Sequence, residues 1–110
     1  MSVKICFWGK ATPLPQLIEL FRHAGFSACG VLDNNPKTWG SQTLGVETVS
    51  PENLPTLDPR YVVVVSQSFQ AIADQVVGLG YPRERLIRYD GDPNAALRAM
   101  EYAFLIGYGF

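Results

Sequence analysis

"YVVVVSQS", residues 61–68, decides how this chain folds. Tyr61 to Val65 are apolar at every position. A strand with one face in water alternates apolar and polar residues, and this run does not. Both of its faces must therefore be covered, the condition of a parallel sheet with helices on each side. Ser66, Gln67 and Ser68 then end the run with polar residues, and the two serines suit helix caps.

Outward from this strand the same alternation of elements continues. Val3 to Trp8 is a short apolar run closed by Gly9, a first strand. Leu14, Leu17, Ile18 and Phe21 then recur at helical spacing, with Thr12 as the expected N-cap, Pro13 at the first helical position and Gly25 as the stop. Ala28 to Leu32 predicts a second strand ending at Asp33. Asn34 to Gly45 is read as an irregular connection, because it holds Pro36, Gly40 and Gly45 and has no period. Val46 to Val49 predicts a third strand, followed by a capped turn at Ser50 to Leu54 that Pro55 stops. After residue 68, Phe69, Ile72, Ala73 and Val76 mark a helix, Leu86 to Tyr89 a fifth strand, and Asp92-Pro93 opens a last helix carrying Leu97, Met100 and Phe104. Strands alternating with helices predict a three-layer α/β sandwich with a mostly parallel sheet of about five strands. Right-handed crossovers put the first and fourth strands side by side.

The bulk numbers limit what such a domain does. A chain of 110 residues with 47% hydrophobic and 17% charged residues is expected to be one domain, 1–110, with a proper core. Its net charge of −1 gives no electrostatic reason to expect nucleic acid or a membrane surface as partner. Without a membrane span or a signal-peptide run, the expected location is the cytoplasm. Cys6 and Cys29 sit in apolar runs and are expected to be reduced core residues. His23 is the single histidine, and no metal-ligand spacing occurs, which argues against zinc and against histidine-based catalysis.

In an open α/β sheet, ligands bind beyond the carboxyl ends of the strands. Three such ends carry polar residues here. Gly9, Lys10 and Thr12 follow the first strand, Asp33 and Asn34 the second, and Ser66 the fourth. Asp33 comes 24 residues after Gly9, near the ~20 that separate a dinucleotide-binding glycine turn from the acid on the ribose hydroxyls. A carboxylate suits that place because it accepts hydrogen bonds from two neighbouring hydroxyls. The turn itself departs from G-x-G-x-x-G. It reads Gly9-Lys10-Ala11-Thr12-Pro13-Leu14, and Pro13 and Pro15 remove N–H donors that a helix N-terminus offers to phosphate. Lys10 and the Thr12 hydroxyl are the candidate replacements, and Trp39 is a candidate lid that stacks on a base.

Gly9 after the first strand, "DNNPKTWG" from Asp33, "GVETVSPENL" from Gly45 and "YVVVVSQS" from Tyr61 come in an order that resembles the Rossmann-like, nucleotide-binding-type domains attached to bacterial sugar-nucleotide and polysaccharide enzymes and to some methyltransferases. The order is also similar to that of CoA-binding-like and redox-sensing repressor domains. The resemblance covers residues 3 to 89. It implies a Rossmann-like fold and a ligand of the NAD(P), nucleotide-sugar or CoA type, with Gly9 at the phosphates and Asp33 near a ribose.

Bland readings stand beside these. Asp33 in Asp-Asn-Asn-Pro is also good turn sequence, Trp39 also packs beneath loops, and Lys10 is also a solvated surface residue. Asp90 and Asp92 read as structural, Asp92 as an N-cap before Pro93. No nucleophile–base pair assembles from the sequence, so the expectation is a non-catalytic nucleotide- or nucleotide-sugar-binding domain, itself a candidate accessory domain of a larger enzyme. A weaker reading gives Asp33 or Lys10 an acid–base role. The alternative is a degenerate domain used for dimerisation or protein interaction. Its support is the tail "AMEYAFLIGYGF", which is apolar nearly all round and so calls for a partner copy or an adjoining domain.

Overall fold

The valine run lies in the interior of a six-stranded sheet of order β3-β4-β2-β1-β5-β6. This is seen in a computed structural model, which describes residues 3–107 and, within the last helix, side chains as far as residue 102. The strands are β1 (Val3–Trp8), β2 (Phe26–Leu32), β3 (Gln42–Thr43), β4 (Val46–Val49), β5 (Tyr61–Val64) and β6 (Leu86–Arg88). All pairings are parallel except β3 with β4. The expected neighbours, the first strand and the valine strand, are paired from Ile5↔Tyr61 to Trp8↔Val64. The helices are α1 (Leu14–His23), α2 (Leu54–Leu57), α3 (Phe69–Gly78) and α4 (Pro93–Gly107).

Two apolar layers sandwich the sheet, as a strand buried on both sides requires. On one face Ile5, Phe7, Val31 and Val63 pack against Leu14, Leu17, Ile18 and Phe21 of α1 and Ala96 and Met100 of α4. On the other, Cys6, Trp8, Leu32, Val62 and Val64 pack against Leu54 of α2, Ile72 and Val76 of α3, and Tyr81. Odd and even positions of β1 and β5 thus go to opposite layers, the period-2 rule with both sides dry. Phe21 meets Phe7 edge-on at 5.6 Å between ring centroids and Phe26 at 6.0 Å, so one aromatic joins α1 to two strands.

Several boundaries differ from the sequence reading, each for a local reason. The irregular connection contains a short 3-10 turn, Pro36–Thr38, and the strand β3, which adds the sixth strand. The α1 N-cap position is Pro13 and makes no side-chain cap bond, so Thr12 is not the cap. Pro55 does not stop the turn at 50–54. It falls in the first turn of α2, where no N–H is needed from it, and the helix runs on until Asp58 takes a left-handed conformation at φ 46°. Asp92 caps α4 as expected, its carboxylate accepting from the Asn94 N–H at 3.0 Å. Met100 of α4 is buried, Leu97 is half-buried, and Tyr102 is 67% exposed. The side chains of Phe104, Leu105 and Ile106, on which the tail argument also rests, lie outside the described residues.

Candidate functional site

β1, β2, β5 and β6 point the same way, so their carboxyl ends share one edge of the sheet. At that edge lies a cleft of about 1060 Å3. The residues that follow the strands line it: Gly9 and Lys10 after β1, Asp33 and Asn34 after β2, Ser66 after β5, and Tyr89 and Asp90 after β6. Five of the seven candidate site residues (Gly9, Lys10, Asp33, Asn34 and Ser66) therefore meet in one place. Thr12 and Trp39 do not line it.

Backbone geometry fixes Gly9 as glycine. Its φ is +110°, where a side chain is strained, and its N–H donates to the Leu32 carbonyl at 2.9 Å. A Cβ there would stand 3.2 Å from the Ser66 backbone nitrogen. The turn after β1 is thus pressed against the turn after β5. Gly9→Ala is expected to cost about 1–3 kcal/mol of folding stability, read from urea unfolding.

Asp33 is half-buried and serves its own loop as well as the cleft. Its Oδ2 accepts from the Thr38 hydroxyl at 2.8 Å, and its backbone carbonyl accepts from the Trp39 indole N–H at 2.8 Å. Trp39 is 42% exposed and ties the loop back to Asp33. The turn reading of Asp33 is compatible with a place at the cleft, because one carboxylate oxygen is used by the loop and the residue still lines the cleft. Ser66 has a similar double placement. Its Oγ accepts from the Ser68 N–H at 3.1 Å, shaping the turn into α3. Ser68 occupies the α3 N-cap position without a side-chain cap bond.

Asn34 forms a reciprocal amide pair with Gln75 of α3: Asn34 Nδ2 donates to Gln75 Oε1 at 3.0 Å, and Gln75 Nε2 donates to Asn34 Oδ1 at 2.9 Å. The pair joins the loop after β2 to α3 along the cleft. Lys10 is exposed and donates from Nζ to Ser41 Oγ at 2.8 Å. The first turn of α1 is poor in free donors, as the prolines imply: Leu14 N–H is used by the Ala11 carbonyl at 3.0 Å.

Sequence reasoning missed the β6 side of the cleft, Arg88 to Gly91, and Gln75. The same strand-end rule, applied to the fifth predicted strand, would have found Tyr89 and Asp90. Gln75 had no signal, since its partner is 41 residues away. Among the described residues no cluster of three His, Cys, Asp or Glu side chains is arranged to hold a metal ion.

No protein-family model matches the chain, and no curated protein does. Solved structures do. The chain is similar to a UDP-D-quinovosamine 4-dehydrogenase from Vibrio fischeri, with a TM-score of 0.67 at 13% sequence identity over 90% of this chain and 87% of that one. It is also similar to RSP, a Rex-family repressor, with a TM-score of 0.64 at 16% identity over 97% of this chain and 61% of that one. That repressor has been solved with β-NADH, and with β-NAD+ and operator DNA. The present chain spans about three fifths of the repressor's length. At these identities the likeness establishes the fold, which is Rossmann-like, as the order of motifs implied. No helix among the described residues is long and apolar enough to cross a membrane.

Proposed function

We propose that this chain is a nucleotide-binding domain that takes NAD(H), or a related nucleotide such as a nucleotide sugar, into the strand-end cleft and acts by binding it. The observation that carries this reading is the meeting of Gly9, Asp33 and Ser66, from three separate strand ends, in one cleft of about 1060 Å3. That volume lies just above the ~300–1,000 Å3 typical of small-molecule sites. In this reading Asp33 accepts the ribose hydroxyls. The phosphates lie by the Gly9–Lys10 turn, with the Ser66 hydroxyl opposite and the Lys10 ammonium swinging in from Ser41.

Two further observations support the assignment. Two structures of the similar repressor contain β-NADH or β-NAD+. Lys10 and Arg88 both line the cleft and supply positive charge to it, while the prolines of α1 have removed backbone donors. Trp39 has no part in this reading as a base-stacking lid, nor Thr12 as a phosphate contact, because neither lines the cleft.

The test is a thermal-shift panel on the purified chain with NADH, NAD+, NADP+, UDP-sugars, CoA and S-adenosylmethionine. A ligand at 100 times its dissociation constant adds ~2.7 kcal/mol, a rise of roughly 10–20 °C in a domain of this size. NADH, NAD+ or a UDP-sugar is expected to give that rise. A flat response across the panel removes the reading.

A further inference from the structure

Cys6 and Cys29 belong to neighbouring strands, and their sulfur atoms lie 3.1 Å apart. A bulge brings them together. The register of β1 on β2 steps from Ile5↔Ala28 to Cys6↔Gly30, so Cys29 is an extra residue with no partner of its own. Ala28 packs in the layer of α1, while Cys29 packs with Cys6 in the layer of α2 and α3. Gly30 leaves room for this arrangement. A Cβ there would stand 3.1 Å from Leu57 Cδ1 and 3.8 Å from Cys6 Sγ. Both thiols are free. They differ in access, since Cys6 is fully buried and Cys29 only half-buried.

Their acidities differ in the same sense. The hydrogen bond from Cys6 stabilises the Cys29 thiolate and holds the Cys29 thiol below the ordinary range, with the Lys4 ammonium adding to the effect. The same bond, together with burial, pushes the Cys6 thiol up. The outer thiol is therefore the better nucleophile, and the inner one stands in contact with it.

We propose that Cys6 and Cys29 form a dithiol modification site for low-molecular-weight disulfides, with Cys29 the attacking and Cys6 the resolving residue. The Cys29 thiolate attacks one sulfur of RSSR, forming a Cys29–S–S–R bond and expelling RS−. Cys6 then loses its proton, and its thiolate attacks Cys29 Sγ, forming the Cys6–Cys29 disulfide and expelling the second RS−. The protein loses two electrons and two protons. RSSR gains both electrons, and the two expelled thiolates take up the protons as RSH. The sulfurs have to close by about 1 Å to reach bonding distance. The product ties β1 to β2 two residues upstream of Trp8, which lines the strand-end cleft.

The experiment uses the full chain, reduced, desalted and incubated with glutathione disulfide. Samples are quenched in acid, alkylated, and analysed by intact mass and non-reducing electrophoresis. The wild type is expected to lose both alkylatable thiols and the mass of two hydrogens, to retain no glutathione, and to stay a single chain. Cys6→Ala is expected to trap one glutathione on Cys29, and Cys29→Ala to keep its remaining thiol free. Two persisting thiols in the wild type overturn the proposal, as does glutathione left on Cys29 without closure or a disulfide between chains. Uptake of glutathione by Cys29→Ala as fast as the wild type closes overturns the assignment of the attacking residue. The wild-type readout stands even where a variant fails to fold.

Discussion

Asp33→Ala is expected to weaken NADH binding by roughly 10- to 100-fold in a fluorescence titration, the effect of losing a hydrogen bond to a charged group worth about 1.5–3 kcal/mol. Oδ2 of Asp33 is held by Thr38, so the carboxylate is oriented before any ligand arrives. That hold also complicates the alanine variant, which loses a loop anchor together with the charge. Asp33→Asn separates the two roles, since an amide oxygen still accepts from the Thr38 hydroxyl while the charge is gone. A similar loss in both variants assigns the effect to the carboxylate. A loss in the alanine variant alone assigns it to the loop. Unchanged affinity in both removes Asp33 from the site.

Phe21→Ala is expected to be among the most damaging single truncations, costing about 3–5 kcal/mol. Phe21 is almost fully buried and packs against Phe7 of β1 and Phe26 of β2, so its loss opens a cavity where α1 meets two strands. The total stability of a small domain is only about 5–15 kcal/mol. The melting temperature should therefore fall by roughly 15 °C or more, read by circular dichroism. Val77→Ala provides the contrast. Val77 is on α3 and 54% exposed, and its truncation should stay within about 0.5 kcal/mol of the wild type. Equal effects at the two positions would contradict the assignment of Phe21 to the core.

The parts of this fold that were legible in the sequence are those where one physical cause dominates a run of residues. All five positions from Tyr61 to Val65 are buried, which is what the absence of alternation required. The helical spacing of Leu14, Leu17, Ile18 and Phe21 marks four residues that are all buried. β3 was not legible because it is two residues long and depends on its turn. Leu44 and Gly45 both adopt positive φ, 49° and 82°, as tight two-residue hairpins require. Leucine is a poor residue for that conformation, so the usual Asn-Gly or Asp-Gly signal is missing. At the cleft, the strand-end rule placed Gly9, Asp33 and Ser66 side by side because topology alone brings those positions together. Thr12 and Trp39 needed side-chain direction as well. Trp39 instead donates its indole N–H to the Asp33 carbonyl, within its own loop.

The hairpin that escaped detection sets how the sheet ends. β3 is a two-residue stub antiparallel to β4, with Gln42 exposed on it. The opposite margin, β6, is only three residues long and carries the exposed Arg88. Neither margin offers a neighbouring chain a long, flat row of unpaired amides and carbonyls to copy. The run of valines itself lies between β1 and β6, so its ladder groups are turned to neighbours within the sheet. Rims this short oppose edge-to-edge growth of the sheet.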